Sequence, residues 1–157
     1  MARPSRSLPF TGAAPASDLA LLVARLTLGV TFFAHGAQKL FGWYGGPGID
    51  GTAEGFASLG LAPERPLAIL VGITEFGGAL LLAVGLLTPL AAVGLLVTMV
   101  VAVIVATGEL GFLGPGGQGG GFEINFILGG LALVVLLAGP GRISLDRRLG
   151  LVRAYER

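Results

Sequence analysis

Six polar side chains stand in or at the ends of otherwise apolar runs, and their chemistry needs explaining: Arg25, His35 and Lys39 in ARLTLGVTFFAHGAQKLFGW, Glu75 in VGITEFGGALLLAVG, and Glu123 with Asn125 in GGGFEINF. Imidazole relays protons or ligates a metal, while lysine and carboxylates exchange protons or neutralise one another. At about 100° per residue, Arg25, Phe32, Gly36 and Lys39 share one broad helical face, with His35 at its margin and one turn from Lys39. Ionisable groups at membrane depth are costly, so each is expected to have a partner or a function.

Counted from the ends of the apolar runs, His35, Lys39, Glu75, Glu123 and Asn125 fall at one depth and are expected to converge on one buried polar site. Arg25 lies nearer the other end of its helix. Lys39 with Glu123 and Arg25 with Glu75 are the expected pairings, the second using the long reach of arginine. His35, Lys39, Glu75 and Glu123 form the candidate catalytic set. Arg25, His35, Lys39 and Asn125 form the candidate cofactor-binding set. The competing reading is that these groups only hold helices together. No metal set is expected: cysteine is absent, and His35, the only histidine, rules out bis-histidine haem within the chain.

The elements that must position these residues are membrane helices. Mean hydropathy is +0.86, with 12% of residues charged, which places the chain in lipid as one compact unit. The net charge of +1 gives no field for nucleic acid. Without cysteine there is no disulfide framework or thiol redox chemistry, so any redox role needs a bound cofactor or a partner. The 28 glycines show no collagen period and fit close helix packing and tight loops.

Residues 1–17 are Pro-, Ser- and Ala-rich and read as a flexible tail. Asp18 is the expected N-cap of a first span over about 19–41, and Arg25 argues against a cleaved signal sequence there. Trp43 and Tyr44 mark an interface. Thr52 is expected to cap a short surface helix in the first outer loop, with Ala53, Phe56 and Leu59 on one side. Further spans are expected over about 67–87, 89–107 and 122–138, with Thr88-Pro89 as a stop-and-restart signal. Residues 18–141 thus form a four-helix transmembrane bundle in an all-α membrane protein.

Arg142, Arg147, Arg148, Arg153 and Arg157 crowd the tail over 142–157, and Arg3 and Arg6 the amino end. The positive-inside rule then places both termini in the cytoplasm of a bacterial-type plasma membrane. Leu145, Leu149 and Val152 recur at helical spacing, so the basic tail reads either as an amphipathic helix on anionic lipid or as an orientation signal alone. Gly46-Pro47-Gly48-Ile49-Asp50-Gly51 matches G-x-G-x-x-G in form, but the strand that a dinucleotide site requires does not precede it. The glycine run 114–121 lacks the Gly-Lys-Ser/Thr of a phosphate loop and is expected to turn tightly or to cover the polar cluster.

With these residues in view, the chain resembles the DoxX family of small four-helix membrane proteins. The resemblance rests on Arg25-x-x-x-Gly29, Phe33-x-His35-Gly36-x-x-Lys39-Leu40-Phe41-Gly42, Thr52, Phe56, Ser58-Leu59-Gly60, Glu75, Gly119-Gly120-Gly121-Phe122-Glu123 and Ser144-Leu145-Asp146. It covers the chain from Ala24 to Leu149. Relatives include a DoxD-type subunit associated with thiosulfate oxidation by quinone, and DoxX proteins are linked to membrane oxidoreductase complexes and to quinone or thiol stress. Many have no assigned reaction, and a fold alone does not settle function.

The leading expectation is a multi-pass plasma-membrane subunit of a quinone-linked oxidoreductase system, with a quinone held in the outer half of the bundle and a membrane or peripheral redox partner. Homo-oligomers are compatible with it. The rival expectation is a non-enzymatic scaffold or small-solute permeation protein, and a lipid-binding helical module is a third.

Overall fold

The computed structural model describes residues 14–152. Among these, every regular element is helical: α1 (Ala14–Phe41), α2 (Gly48–Ser58), α3 (Glu64–Val84), α4 (Thr88–Ala102), α5 (Glu123–Ala138) and α6 (Leu145–Arg148). By length and composition α1, α3 and α4 can each cross a membrane, α4 being prolonged through a π-helical turn at Val103–Thr107 and a tighter turn to Leu110. α5 is apolar but shorter.

Small residues set the packing. Gly29 and Gly36 of α1 lie against α3 at Ala79 and Phe76, and Gly72 of α3 receives the Leu40 side chain. Side chains larger than hydrogen at these positions would push the two helices apart. α3 then packs on α4, α4 on α5, and α5 returns to α1, closing a ring. Leu28, Phe32, Leu82, Leu95 and Val135, all fully buried, fill its middle. α2 lies on α1 and α3.

The α3–α4 hairpin marks one end of the bundle. α3 stops at Gly85, whose φ of 69° lets the Leu86 N–H reach back 2.9 Å to the Leu81 carbonyl, a Schellman closure that needs the left-handed region. The chain restarts at Thr88 with Pro89 in the first turn, where proline's missing N–H is harmless. Leu87 joins the two helices in the left-handed region at φ 48°.

Several local expectations change. α1 starts at Ala14, so Asp18 is inside the helix, and its Oδ1 accepts instead from the Arg142 N–H at 2.8 Å. Thr52 is likewise internal to α2 and donates back to the Gly48 carbonyl at 2.7 Å, the i−4 pattern open to a hydroxyl within a helix. The second span covers Glu64–Val84 rather than 67–87, because Gly85 ends it. Among the described residues of the carboxyl-terminal segment only α6 is helical, capped by the Ser144 hydroxyl accepting from Arg147 N–H, and Gly150 at φ 68° follows it. Arg3, Arg6, Arg153 and Arg157 lie outside the described residues.

Candidate functional site

The contact between Gly36 and Phe76 brings α1 and α3 together at the level where Lys39 and Glu75 project. Lys39 Nζ donates to Glu75 Oε2 at 2.5 Å, with the Glu75 side chain 4% exposed and that of Lys39 24%. This replaces both expected pairings. Depth along a helix is readable from sequence, but rotation and crossing point are not, and the α1–α3 crossing puts Glu75 beside Lys39. A carboxylate so buried requires its cation close by.

A cavity of about 570 Å³ adjoins this pair. Phe32, His35 and Lys39 of α1, Val71, Thr74 and Glu75 of α3, Thr98 and Met99 of α4, and Asn125 and Leu128 of α5 face it. Phe56 of α2 also lines it, together with Leu59 and Leu61 of the following turn. His35 is exposed, whereas Asn125 is buried. The Asn125 carboxamide Nδ2 donates to Met99 Sδ at 3.6 Å, and its oxygen accepts from Thr107 at 3.3 Å. Sulfur is a weak acceptor, so the amide retains donor capacity toward the cavity. The wall is thus mainly apolar with a few polar groups, as in small-molecule sites.

Glu123 and Arg25 are not among the residues that line this cavity. Glu123 opens α5 half-buried, its Oε2 buried and without a hydrogen-bond partner among the described residues. The glycine run beside it folds on itself, with Gly119 N–H bonded to the Leu113 carbonyl at 2.9 Å and Phe122 N–H to the Gly111 carbonyl at 3.1 Å. It contributes no side of the cavity.

Arg25 serves the hairpin end. Buried in α1, it donates through Nη2 to the Ile143 carbonyl and lies in the field of Asp146. The two oxygens of Asp146 accept from Leu87 N–H at 2.7 Å and Thr88 N–H at 2.8 Å, while its own N–H donates to the Gly85 carbonyl at 2.8 Å. Asp146 therefore caps α4 from a distant segment, satisfying N–H groups that the helix itself cannot. The Ser144-Leu145-Asp146 motif thus has a structural job that spacing alone does not disclose. Thr74, Thr98 and Met99 of the cavity wall also escaped sequence reasoning, because apolar or weakly polar residues on a membrane helix carry no signal of which face lines a cavity.

The DoxX family profile matches residues 20–108, more than half of the chain. The chain belongs to the DoxX family. Among DoxX relatives, the Escherichia coli "Inner membrane protein YphA" is 34% identical over 139 residues, covering 85% of this chain and 92% of the relative. The Mycobacterium tuberculosis "Uncharacterized membrane protein Rv3486" is 36% identical over 141 residues, 82% of this chain and 80% of its own. A Bacillus subtilis relative named "Putative oxidoreductase CatD" is 26% identical over 129 residues, 82% of this chain and 86% of its own. No solved structure matches the chain. This DoxX chain is a membrane protein with transmembrane helices.

Proposed function

We propose that this DoxX-family protein binds a quinone-type lipophile in the cavity beside Lys39 and Glu75, as the membrane subunit of a quinone-linked oxidoreductase system. The observation that carries the reading is a buried ion pair set into the wall of a largely apolar cavity. Its volume of about 570 Å³ lies inside the range of roughly 300–1,000 Å³ usual for small-molecule sites. When bound, a quinone supplies two-electron, two-proton redox chemistry.

The chain's own residues divide the remaining work. Lys39 and His35 hold protons at the cavity wall within one helical turn of each other, where a carbonyl oxygen can accept them. Glu75 pairs with the lysine, so that the two charges balance. Asn125 offers a donor from the opposite wall, and Glu123 is a proton carrier on the loop side. Arg25 serves this site only by holding the hairpin end of α1. Electrons come from a membrane or peripheral partner protein, and the oxidoreductase designation of the Bacillus subtilis relative supports this class.

In the same reading α5 is a fourth span, about 24 Å long at about 1.5 Å per residue, and the glycine-rich loop completes the crossing. The hairpin end faces the cytoplasm of the bacterial inner membrane, because exposed Arg142, Arg147 and Arg148 gather there. The cavity then lies in the outer half.

The direct Lys39–Glu75 contact also favours a second reading, a scaffold in which the pair only ties α1 to α3. A permeation path is less well supported, since the fully buried Leu28, Phe32, Leu82 and Leu95 fill the bundle. Protein mildly purified from native membranes, extracted with solvent and analysed by mass spectrometry and ultraviolet–visible spectroscopy, separates the first two. A stoichiometric quinone that is lost in a folded His35→Ala variant is the expected result. A quinone-free extract, unchanged after quinone is added back, moves the conclusion to the scaffold.

A further inference from the structure

α3 and α4 touch closely at mid-helix, where the Leu95 side chain packs against Gly78 and Thr74 Cγ2 lies 3.0 Å from where a methyl on Gly94 would stand. Farther from the hairpin the two helices no longer fill the space between them. Leu70 of α3 and Val97 and Val101 of α4 line the cavity, yet they are 60%, 52% and 42% exposed. These exposed side chains stand on two neighbouring helices, on the wall of one cavity. At its other boundary, Phe56 of α2 and Leu59 just after it line the cavity, and an Asp50–Arg65 ion pair ties α2 to the start of α3.

We propose that the cavity opens sideways between α3 and α4 and that this mouth is a tail site. The ligand is an amphipath drawn from the lipid phase, with a compact uncharged head at Lys39, Glu75 and Asn125 and an apolar tail running out past Leu70, Val97 and Val101. An uncharged head suits the wall because Lys39 and Glu75 already neutralise each other, and a net charge brought beside them would lack a counter-ion. A tail in the mouth exchanges lipid contacts for valine and leucine contacts, so it is tolerated there and hydrated nowhere. The inference rests on the cavity being a ligand site, but not on redox chemistry.

The test uses the full chain in lipid nanodiscs and four probes: benzoquinone, decyl-benzoquinone, phenol and 4-decylphenol. Equilibrium binding is compared as the ratio between variant and parent, so that partition into lipid cancels. Val97→Trp and, separately, Val101→Trp place bulk in the mouth and should weaken the decyl probes by about tenfold while leaving the short rings within about twofold. Retained binding of a short ring certifies that a variant is folded, and the second variant stands in if the first is not. Equal weakening of tailed and tailless probes, or no weakening of either, overturns the tail site. Slot-dependent binding of 4-decylphenol with no binding of either quinone keeps the tail site and removes the quinone reading. Failure of all four probes to bind the parent protein overturns both.

Discussion

At the crossing of α1 and α3, Gly36 lies so close to Phe76 that a methyl group in place of its hydrogen would stand 2.7 Å from the Phe76 Cα and nearer still to its nitrogen. Backbone atoms cannot swing aside as a side-chain tip can, so Gly36→Ala must part the helices. Overpacking of this kind costs about 1–3 kcal/mol. Because the same crossing sets the 2.5 Å contact of Lys39 with Glu75, the variant should lose both thermal stability and cavity binding. Gly77, with open space beside it, is the control: Gly77→Ala should leave the melting temperature unchanged or raise it. Equal behaviour of the two variants in a detergent thermal-unfolding series would contradict this account of the helix crossing.

Removing one member of the Lys39–Glu75 pair should be worse than removing both. Lys39→Met leaves the buried Glu75 carboxylate without its cation, and breaking a buried pair in this way costs about 3–5 kcal/mol. That figure is an upper bound here, since the Lys39 side chain keeps 24% exposure and water can relieve the loss. Glu75→Gln strands a more accessible charge and should cost less. The double variant Lys39→Met/Glu75→Gln should recover much of the stability. A double-mutant cycle on unfolding free energies measures the coupling, and strict additivity would show that the pair is not a unit. Ligand binding adds a second readout: a double variant that folds but does not bind supports the site, whereas one that binds normally supports the tie between helices alone.

The long apolar runs, the Thr88-Pro89 restart and the glycine-rich interruptions made the helices legible, because each depends on local composition. Depth was legible in part: of the five residues expected at one site, His35, Lys39, Glu75 and Asn125 line one cavity and Glu123 does not. Rotation was not. Glu75 meets Lys39 rather than Arg25 because Gly36 and Gly72 allow α1 and α3 to cross at that level, and a glycine on a membrane helix does not name its neighbour. Caps made across long sequence distance were equally hidden. Asp146 reads as an ordinary acidic residue in a basic tail, yet its oxygens meet Leu87 and Thr88. Asp18 reads as a helix start, yet it binds Arg142.

Asp146→Ala should loosen the hairpin end without disturbing the cavity. It removes two acceptors from α4's first N–H groups, and losing a cap of this type costs about 0.5–2 kcal/mol. Arg25 also loses the negative charge it faces. Asp146→Asn keeps one acceptor oxygen and should fall between the parent and Asp146→Ala. Limited proteolysis reads the effect at the carboxyl-terminal segment, which should be released sooner from the alanine variant while probe binding at Lys39 and Glu75 is unchanged. Cleavage kinetics indistinguishable among the three proteins would remove the clasp from the account.

The glycine preceding that hairpin makes the sharper test. Gly85 has φ 69°, and a methyl group there would overlap Arg25 Nη1 and stand 2.6 Å from Ser144 Cβ. Three penalties therefore meet in Gly85→Ala: the left-handed backbone, about 1 kcal/mol for a residue with a side chain, the collision with a buried guanidinium, and the close approach to Ser144. They are separable. Arg25→Ala removes the guanidinium collision but leaves the backbone penalty and the 2.6 Å approach to Ser144 Cβ, so Gly85→Ala should be less harmful in an Arg25→Ala background than in the parent. Neighbouring sites that share a partner commonly couple by about 0.5–3 kcal/mol, and coupling in that range, with the double variant more stable than the sum of the singles predicts, is the expected result of a four-protein unfolding series. If Gly85→Ala is equally destabilising in both backgrounds, backbone geometry and the Ser144 contact explain the glycine, and the place of Arg25 against it is wrong.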